Sequence, residues 1–506
     1  MVARTVFPAS GVPTNAAVPA DNFAAIAMEP GNAVRVGPKI HREKRILKTH
    51  IFQKRSIIPA PVDEVFAWHE RPGALERLSP PWDAPRVIRH TGGIRPGTEV
   101  TLRMKAGPVP YRWQARHETY EQNRFFSDVQ VRGPFAVWRH AHRFSAEPGS
   151  ATAYEDIIEY ALPFPGNLSA TANRMIDRKL ERIFHYRHAT LAADLADHLG
   201  THGPKSMTIL VSGGSGLIGA SLIPYLTTGG HRVVRLVRRQ PRPGNDEIFW
   251  DPATGRLDGK PLRDIDAVIH LSGENIGEGR WTAEKKRKIV ESRTKTTALL
   301  AKTLAALPHP PRVFACASAI GYYGNRGDAV MTEADDPGDD FISDVCRQWE
   351  DAAAPARNNG IRTVFLRIGI VLTPAGAALK KLLLPFQMGL GGKIGNGNQY
   401  MSWISMDDAI SAIRFCLVTP GLEGPVNIVS PQPVPNHEFA ATLGKVLSCP
   451  ARFAVPAAAI KLAFGQMGRE TVLSGTRVIP ARLTADGYRF RHPDLETALR
   501  HLLGKV

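Results

Sequence analysis

The stretch TILVSGGSGLIGASLIPYL, residues 208–226, constrains this chain more than any other. An apolar run at 209–211 meets Ser212, glycines follow at 213, 216 and 219, and apolar residues then return at helical spacing. That order predicts a strand, a tight turn and a helix. Gly213 permits a turn conformation that a Cβ resists, Gly216 lets backbone approach a pyrophosphate, and Gly219 lets helix and strand pack closely. The helix opening near Ser215 offers unpaired N–H groups and a positive dipole end to phosphate. The expected dinucleotide contacts are therefore Gly213, Ser215, Gly216, Leu217, Ile218 and Gly219.

Further apolar strand candidates alternate with helical stretches after this motif: HRVVRLVR, EIFWD, DAVIHLSG, RVFACASA and RTVFLRIGIVL. Near-continuous Val/Ile/Leu strands of this kind are buried on both faces, which predicts an α/β doubly wound parallel sheet. The second strand ends in Arg238 and Arg239, where an NAD site usually carries an acid for the ribose 2′-OH. Two guanidinium groups suit a 2′-phosphate, so NADP(H) is the expected cofactor. DAVIHLSG ends in His270, Leu271 and Ser272, small or polar where the chain passes the nucleotide, and these three join the expected cofactor contacts.

At 506 residues the chain is long enough for several domains. Residues 1–47 read as a loose polar tail. Residues 48–199 show short alternating strands followed by one long helix, in which Met175, Ile176, Leu180, Ile183, Leu191, Leu195 and Leu199 share a stripe broken only by Arg187. GTHGPKS, 200–206, reads as a linker. The nucleotide domain spans 207–448 and a C-terminal module 449–506. Each side of the linker has its own hydrophobic pattern, so the two halves are expected to fold separately, with few contacts crossing.

The net charge of +17 is spread over both halves, and its densest runs contain acids, which argues against a nucleic-acid partner. No apolar run is long enough for a membrane span. The four cysteines form no C-x-x-C pair, so neither a disulfide framework nor a zinc site is expected, and a reducing cytoplasm suits them.

The glycine turn, the His270–Gly273 strand end, ASAIGYYG (317–324), LRIGIVLTP (366–374) and SWISMDDA (402–409) occur in the order of the extended short-chain dehydrogenase/reductase superfamily, a Rossmann fold. The match resembles most closely an atypical epimerase-like subgroup marked by GENIGEGRWT, ESRTKTT and GDDFISDVCRQWE and by a C-terminal module. The resemblance implies a Tyr-x-x-x-Lys pair on the helix after SAIGYYG. Anchoring on Glu350 puts Ile342 and Cys346 at those positions, so the pair is missing. Ser318 matches the hydroxyl that binds a substrate carbonyl, and Tyr322 and Tyr323 resemble the element that lines the substrate side. Ser318 and Tyr323 are the expected catalytic residues, with Tyr323 a proton donor in reduction by NADPH. Glu274, Asn275, Arg280, Trp281, Trp403 and Asp407 fall where the family places substrate loops.

The segments GPFAVWRHAHRFSAEPGSATAYEDIIEYALPF and KLERIFHYRHATLAADL resemble the START-like helix-grip superfamily of polyketide cyclases and ligand carriers, an α+β fold with an apolar cavity. The resemblance implies an apolar ligand there. His140, His142, His185 and His188 lack a carboxylate or cysteine at ligand spacing, so no metal is expected. Three functions fit these residues: an NADP(H)-dependent oxidoreductase acting on a small molecule, an NADP-binding protein without turnover, and a ligand carrier regulated by the nucleotide domain.

Overall fold

Alternating apolar and polar residues from position 50 onward produce seven antiparallel strands in the computed structural model, which describes residues 48–106, 109–166, 169–200 and 206–505. The tail 1–47 and most of the linker 200–206 lie outside the described residues. The strands are β1 (His50–Ile58), β2 (Arg86–His90), β3 (Glu99–Ala106), β4 (Val109–Glu121), β5 (Phe125–Arg132), β6 (Val137–Glu147) and β7 (Ala151–Ala161), in the order β1-β7-β6-β5-β4-β3-β2. β2 escaped the sequence reading because four of its five residues are exposed, three of them basic, as befits a sheet edge. Between β1 and β2 lie two helices, α1 (Val62–Glu70) and α2 (Ala74–Arg77), divided where Pro72 and Gly73 interrupt the chain.

The long helix, α3 (Ala170–Leu199), starts at Ser169, whose hydroxyl accepts from the Ala172 N–H. Leu180, Leu191 and Leu195 are buried on it as the stripe predicts, but Met175 and Leu199 are exposed. Near the C-terminal end of α3 the burial shifts instead to a charge, Asp194, which is 0% exposed. Sheet and α3 leave between them a cavity of about 870 Å³, lined by Trp113, Phe126 and Trp138 on one side and Leu180, Ile183 and Phe184 on the other.

The second half forms the expected parallel sheet. Its strands β8 (Thr208–Ser212), β9 (Arg232–Val237), β10 (Glu247–Asp251), β11 (Arg256–Leu257), β12 (Ala267–His270) and β13 (Val313–Ala319), followed by Arg362–Ile368 and Gly424–Ile428, lie in the order β11-β10-β9-β8-β12-β13 and then those two. Only the β10–β11 pairing in this sheet is antiparallel. The order reverses between β8 and β12, which sets the crevice for ligands at the carboxyl ends of those strands. The last strand, Gly424–Ile428, was not read from sequence. Residues beyond 448 pack back on this half: Leu499 and Leu502 share a buried cluster with Phe439 and Leu443.

The expectation that few contacts cross the linker is overturned. Arg77 grips Asp194 with two hydrogen bonds of 2.8 and 2.7 Å and reaches Asp407 of the second half at 3.0 Å. Arg491 returns from the second half to Asp194 at 2.9 Å and also pairs with Asp197. Tyr225 and Ser411 donate to Asp197 at 3.0 and 2.7 Å. Gly73 backs so closely on the second half that a Cβ there would lie 2.6 Å from Pro224 Cα. A hydrophobic pattern read along one segment says nothing of charges that segments hundreds of residues apart bury together, and here those charges bind the halves into one unit. Among the described residues, no helix is long and apolar enough to cross a membrane.

Candidate functional site

β8 is the central strand of the crevice, with Ile209, Leu210 and Val211 all 0% exposed, so the chain leaves it at a rigidly fixed point. Gly213 then takes φ +74°, and a Cβ on it would lie 2.7 Å from the Leu271 carbonyl carbon. Leu271 and Ser272, at the end of β12, thus run directly against the turn, and both are half-buried. Gly219 is the packing glycine, since a Cβ there would overlap the Gly213 carbonyl. Gly216 differs. Its φ of −73° is ordinary, and a Cβ would meet only Gly213 O, at 3.2 Å. Space is therefore kept open there for a group approaching the backbone.

Gly216 caps helix α4 (Leu217–Thr228) without any side-chain hydrogen bond, and the first turn carries no acid. The unpaired N–H groups and the positive helix end thus face the crevice unneutralised. Ser215 and Gly216 are exposed beside it, while Leu217 and Ile218 are half-buried and pack against the core under the turn. The arrangement is suited to an anion.

At the end of β9 the two arginines have separate fates. Arg239 makes a double hydrogen bond to Glu247, at 2.7 and 2.8 Å, while Arg238 is exposed with no hydrogen bond or ion pair among the described residues. Arg235, three residues earlier, also reaches Glu247, at 2.9 Å, and its side chain runs beside Gly214. The Arg239 hydrogen bond, and next the Arg242 N–H, hold the Glu247 carboxyl down to about 2. Sequence reading missed Arg235 and Glu247, because the acid comes from the next strand instead of the end of β9. The crevice edge keeps an excess of positive charge, and Arg238 there has no partner among the described residues.

His270 does not join the crevice. It is 0% exposed, Nδ1 lies 2.6 Å from Ser212 Oγ and Nε2 3.2 Å from Thr296 Oγ1. Burial pushes it down to about 3, so it is a neutral histidine that ties β8, β12 and a neighbouring helix together inside the core. The expected nucleotide contact of His270 gives way to this packing role.

The expected catalytic hydroxyls are also committed. Ser318 is 3% exposed and donates to Glu350 Oε1 at 2.7 Å. Glu350 is clamped by Arg367 through two bonds of 2.9 Å. Tyr323 is 0% exposed, donates to Asn427 Oδ1 at 2.7 Å and accepts from Arg367 at 3.0 Å. Burial pushes its phenol up to about 12. Tyr323 is thus a core residue, and its expected role as proton donor is corrected on that ground. Its neighbour Tyr322 is half-buried and lies under Arg367, whose guanidinium carbon sits 3.4 Å from the ring centroid. The Tyr322 hydroxyl makes no hydrogen bond to the described residues.

Replacing Tyr323 with Phe is expected to cost about 1–3 kcal/mol of stability, because it strands a buried Arg367 donor and the Asn427 acceptor. Denaturant unfolding measures this. A variant as stable as the parent would show that the phenol is not part of this network.

Ile342 and Cys346, at the positions of the absent Tyr and Lys, are 7% and 2% exposed. They pack with Trp281, Val345 and Met467, and Tyr322 and Phe341 close over the same cluster. Burial pushes the Cys346 thiol up to about 12, which leaves it inert. Of the expected substrate-loop residues, Trp281 caps this cluster and donates to the Ile276 carbonyl, and Trp403 is 0% exposed and donates to the Gln432 carbonyl. Asp407 lies at the contact between the halves, bound to Arg77 and His501. Glu274 pairs with Lys285, Asn275 with Glu278, and Arg280 donates to the Ala463 carbonyl.

Known proteins align with this geometry along nearly the whole described chain. Residues 58–184 match the family of polyketide cyclase/dehydrase and lipid transport proteins, 209–428 the NAD dependent epimerase/dehydratase family, and 455–502 a domain of unknown function (DUF1731). An epimerase family protein of Mycobacterium bovis, Mb2239, is 40% identical over 291 residues, which cover 58% of this chain and 96% of that protein. The human epimerase family protein SDR39U1 is 37% identical over 300 residues, 59% of this chain and all of that one. Its crystal structure, isoform 2 with NADPH, is similar with a TM-score of 0.54 at 35% identity, over 59% of this chain and 100% of that chain. A nucleoside-diphosphate sugar epimerase from Corynebacterium glutamicum covers 90% of both chains with a TM-score of 0.73 at 31% identity, so its structure spans both halves. With its glycine turn, sheet order and these relatives in agreement, the chain belongs to the NAD dependent epimerase/dehydratase family.

Proposed function

We propose that this chain binds NADP(H) at the glycine turn and holds an apolar ligand in the cavity of its N-terminal half. The observation that carries the nucleotide assignment is the uncapped, acid-free N-terminus of α4 at the sheet's switch point, with Arg238 exposed and unpaired beside it. The residues fit the group: Gly216, whose own N–H is spent on the Gly213 carbonyl at 2.9 Å, leaves room for the pyrophosphate, the N–H groups of Ser215, Leu217 and Ile218 are left to receive it, and Arg238 meets the 2′-phosphate. The human relative crystallised with NADPH supports the choice of dinucleotide. When bound, NADPH supplies a hydride, and this chain's residues hold and orient it.

Calorimetry should show NADPH binding more tightly than NADH. Arg238→Asp is expected to weaken NADPH by about 10- to 100-fold, the size of a charge-assisted hydrogen bond, and to leave NADH nearly unchanged. Equal affinity for both dinucleotides in the parent chain would overturn the assignment.

The apolar packing of Ile342 and Cys346 and the engaged hydroxyls of Ser318 and Tyr323 favour a bound nucleotide without the family's usual proton relay. One observation supports a second reading, reduction of a small molecule by NADPH: the Tyr322 phenol, half-buried and without a hydroxyl partner among the described residues, lies on Arg367. NADPH absorbance followed over a panel of carbonyls and enones separates the two. Consumption that Tyr322→Phe abolishes establishes the reductase, and none across the panel establishes the binding protein.

A further inference from the structure

The wall of the N-terminal cavity carries a cluster that the nucleotide site does not use. His140 and His142 are two residues apart on β6, so both face the cavity. Asp128 on β5 is the cross-strand partner of His140, and Asp156 on β7 that of His142. The carboxylates missing from the local spacing of these histidines therefore come from neighbouring strands. His185, the third histidine considered, is exposed and outside the group. His188 joins it only through Asp156.

Asp156 is 0% exposed and orients the rings. Its Oδ1 lies 2.9 Å from His140 Nε2 and 2.7 Å from His142 Nδ1, and its Oδ2 lies 2.8 Å from His188 Nε2. On the far side of each ring a nitrogen faces Asp128, and an ion bound there takes the place of the proton that His140 Nδ1 shares with Asp128. His140 Nδ1 is 3.4 Å and His142 Nε2 4.0 Å from Asp128 Oδ2. All three donor atoms lie within 4.8 Å of one another. Ligand atoms about 2.0–2.2 Å from one ion sit about 3.3 Å apart in a tetrahedral site, so His140 Nδ1 already lies near that spacing from Asp128 and His142 has to close on it by about 0.7 Å.

We propose that Asp128, His140 and His142 form a binding site for a divalent first-row metal ion such as Zn²⁺, with its open coordination position turned toward the apolar cavity. Two imidazoles and a carboxylate are a donor set for such ions, and Asp156 supplies the carboxylate behind the histidines that fixes ring orientation and raises ligand basicity. A second, independent observation points to a ligand at this spot. His69 is 4% exposed, lines the same cavity with its ring 6.1 Å from that of His142, and its Nε2 has no hydrogen-bond partner. His117, which also lines the cavity and is the cross-strand partner of Asp128, has a buried Nδ1 without one. Two imidazole nitrogens without a partner among the described residues lie on the wall of the same cavity and can receive a metal-bound water or the oxygen of an apolar ligand, and Phe126, stacked on His142 at 4.0 Å, covers one face of that ring. The matching ligand class is an apolar molecule presenting a carbonyl or hydroxyl oxygen. The site stands independently of the nucleotide assignment.

Untagged full-length chain stripped with a chelator and titrated with Zn²⁺ alone should bind one ion per chain. Asp128→Asn and His142→Gln are each expected to weaken it by more than 100-fold, and Asp156→Asn by about 10- to 100-fold. His492→Gln removes a member of the other His/Asp group among the described residues, Asp407–His492–His501, and should leave binding unchanged. X-ray absorption at the zinc edge of the unmodified chain gives a test that needs no variant, and should report two imidazole nitrogens with oxygen and no sulfur. The proposal is overturned by substoichiometric binding, by the parent chain's affinity persisting in Asp128→Asn or His142→Gln, by loss of binding in His492→Gln, or by a sulfur-containing ligand set.

Discussion

Arg77→Ala is expected to lower stability by about 3–5 kcal/mol, the cost of removing one partner from a buried ion network. Arg77 is 5% exposed and is bound at once by Asp194 and Asp407, which are 0% and 4% exposed. Its removal leaves Asp194 with Arg491 and Asp407 with His501, so two buried carboxylates share weaker compensation. The pairing also holds Asp407 well below the usual carboxylate range, with Arg77 the largest of the attractions that overcome its burial. Because Arg77 and Asp407 belong to opposite halves, the loss should appear as one cooperative transition moved to lower denaturant, with both halves melting together. A change under about 1 kcal/mol, or a transition that splits in two, would show that the network does not join the halves.

The second large effect is expected at Gly216. The Cβ of a valine there meets only the Gly213 carbonyl oxygen, at 3.2 Å, and φ stays ordinary, so stability is expected to change by about 1 kcal/mol or less. The same side chain fills the space in front of the α4 N–H groups, and NADPH affinity should fall by about 100-fold or more, near 2.7 kcal/mol. Thermal unfolding with and without NADPH separates the two effects: the apo midpoint should stay and the NADPH-induced rise should vanish. Undiminished NADPH stabilisation in Gly216→Val would place the nucleotide elsewhere.

What could be read in advance follows the range of the interactions. The strand, turn and helix at 208–228 depend on neighbours within twenty residues, and the apolar periods and glycine spacing carried them. The seven-stranded sheet was legible except at β2, whose charged edge leaves no apolar alternation to read. The functions of single polar residues were not local. Tyr323 and Tyr322 are adjacent and chemically identical, yet Arg367 and Asn427, 44 and 104 residues away, decide which hydroxyl is locked. His270 fits its motif and still lies under the sheet, because Thr296 and Ser212 take both its nitrogens. The histidines of β6 looked devoid of acidic partners only because strand pairing, not sequence spacing, brings Asp128 and Asp156 to them. Arg238 and Arg239 read as equals until Glu247 singled out one of them.

Helix α3 has a mechanical meaning. Its 30 residues make a stiff rod about 45 Å long. Ile176, Leu180, Ile183, Phe184 and Arg187 on its first two-thirds line the cavity, and Asp194, Asp197 and His198 at its far end grip the second half. Tyr225, which receives that grip, sits on α4, the helix whose other end forms the glycine turn. Cavity and turn are thus connected through α3, its contact with Tyr225, and α4, which carries Pro224 one residue before that contact. Thermodynamic reciprocity then sets a rule for two occupants: the factor by which filling the cavity alters nucleotide affinity equals the factor by which the nucleotide alters affinity in the cavity. The fusion of the two halves in one chain fixes their stoichiometry at one to one.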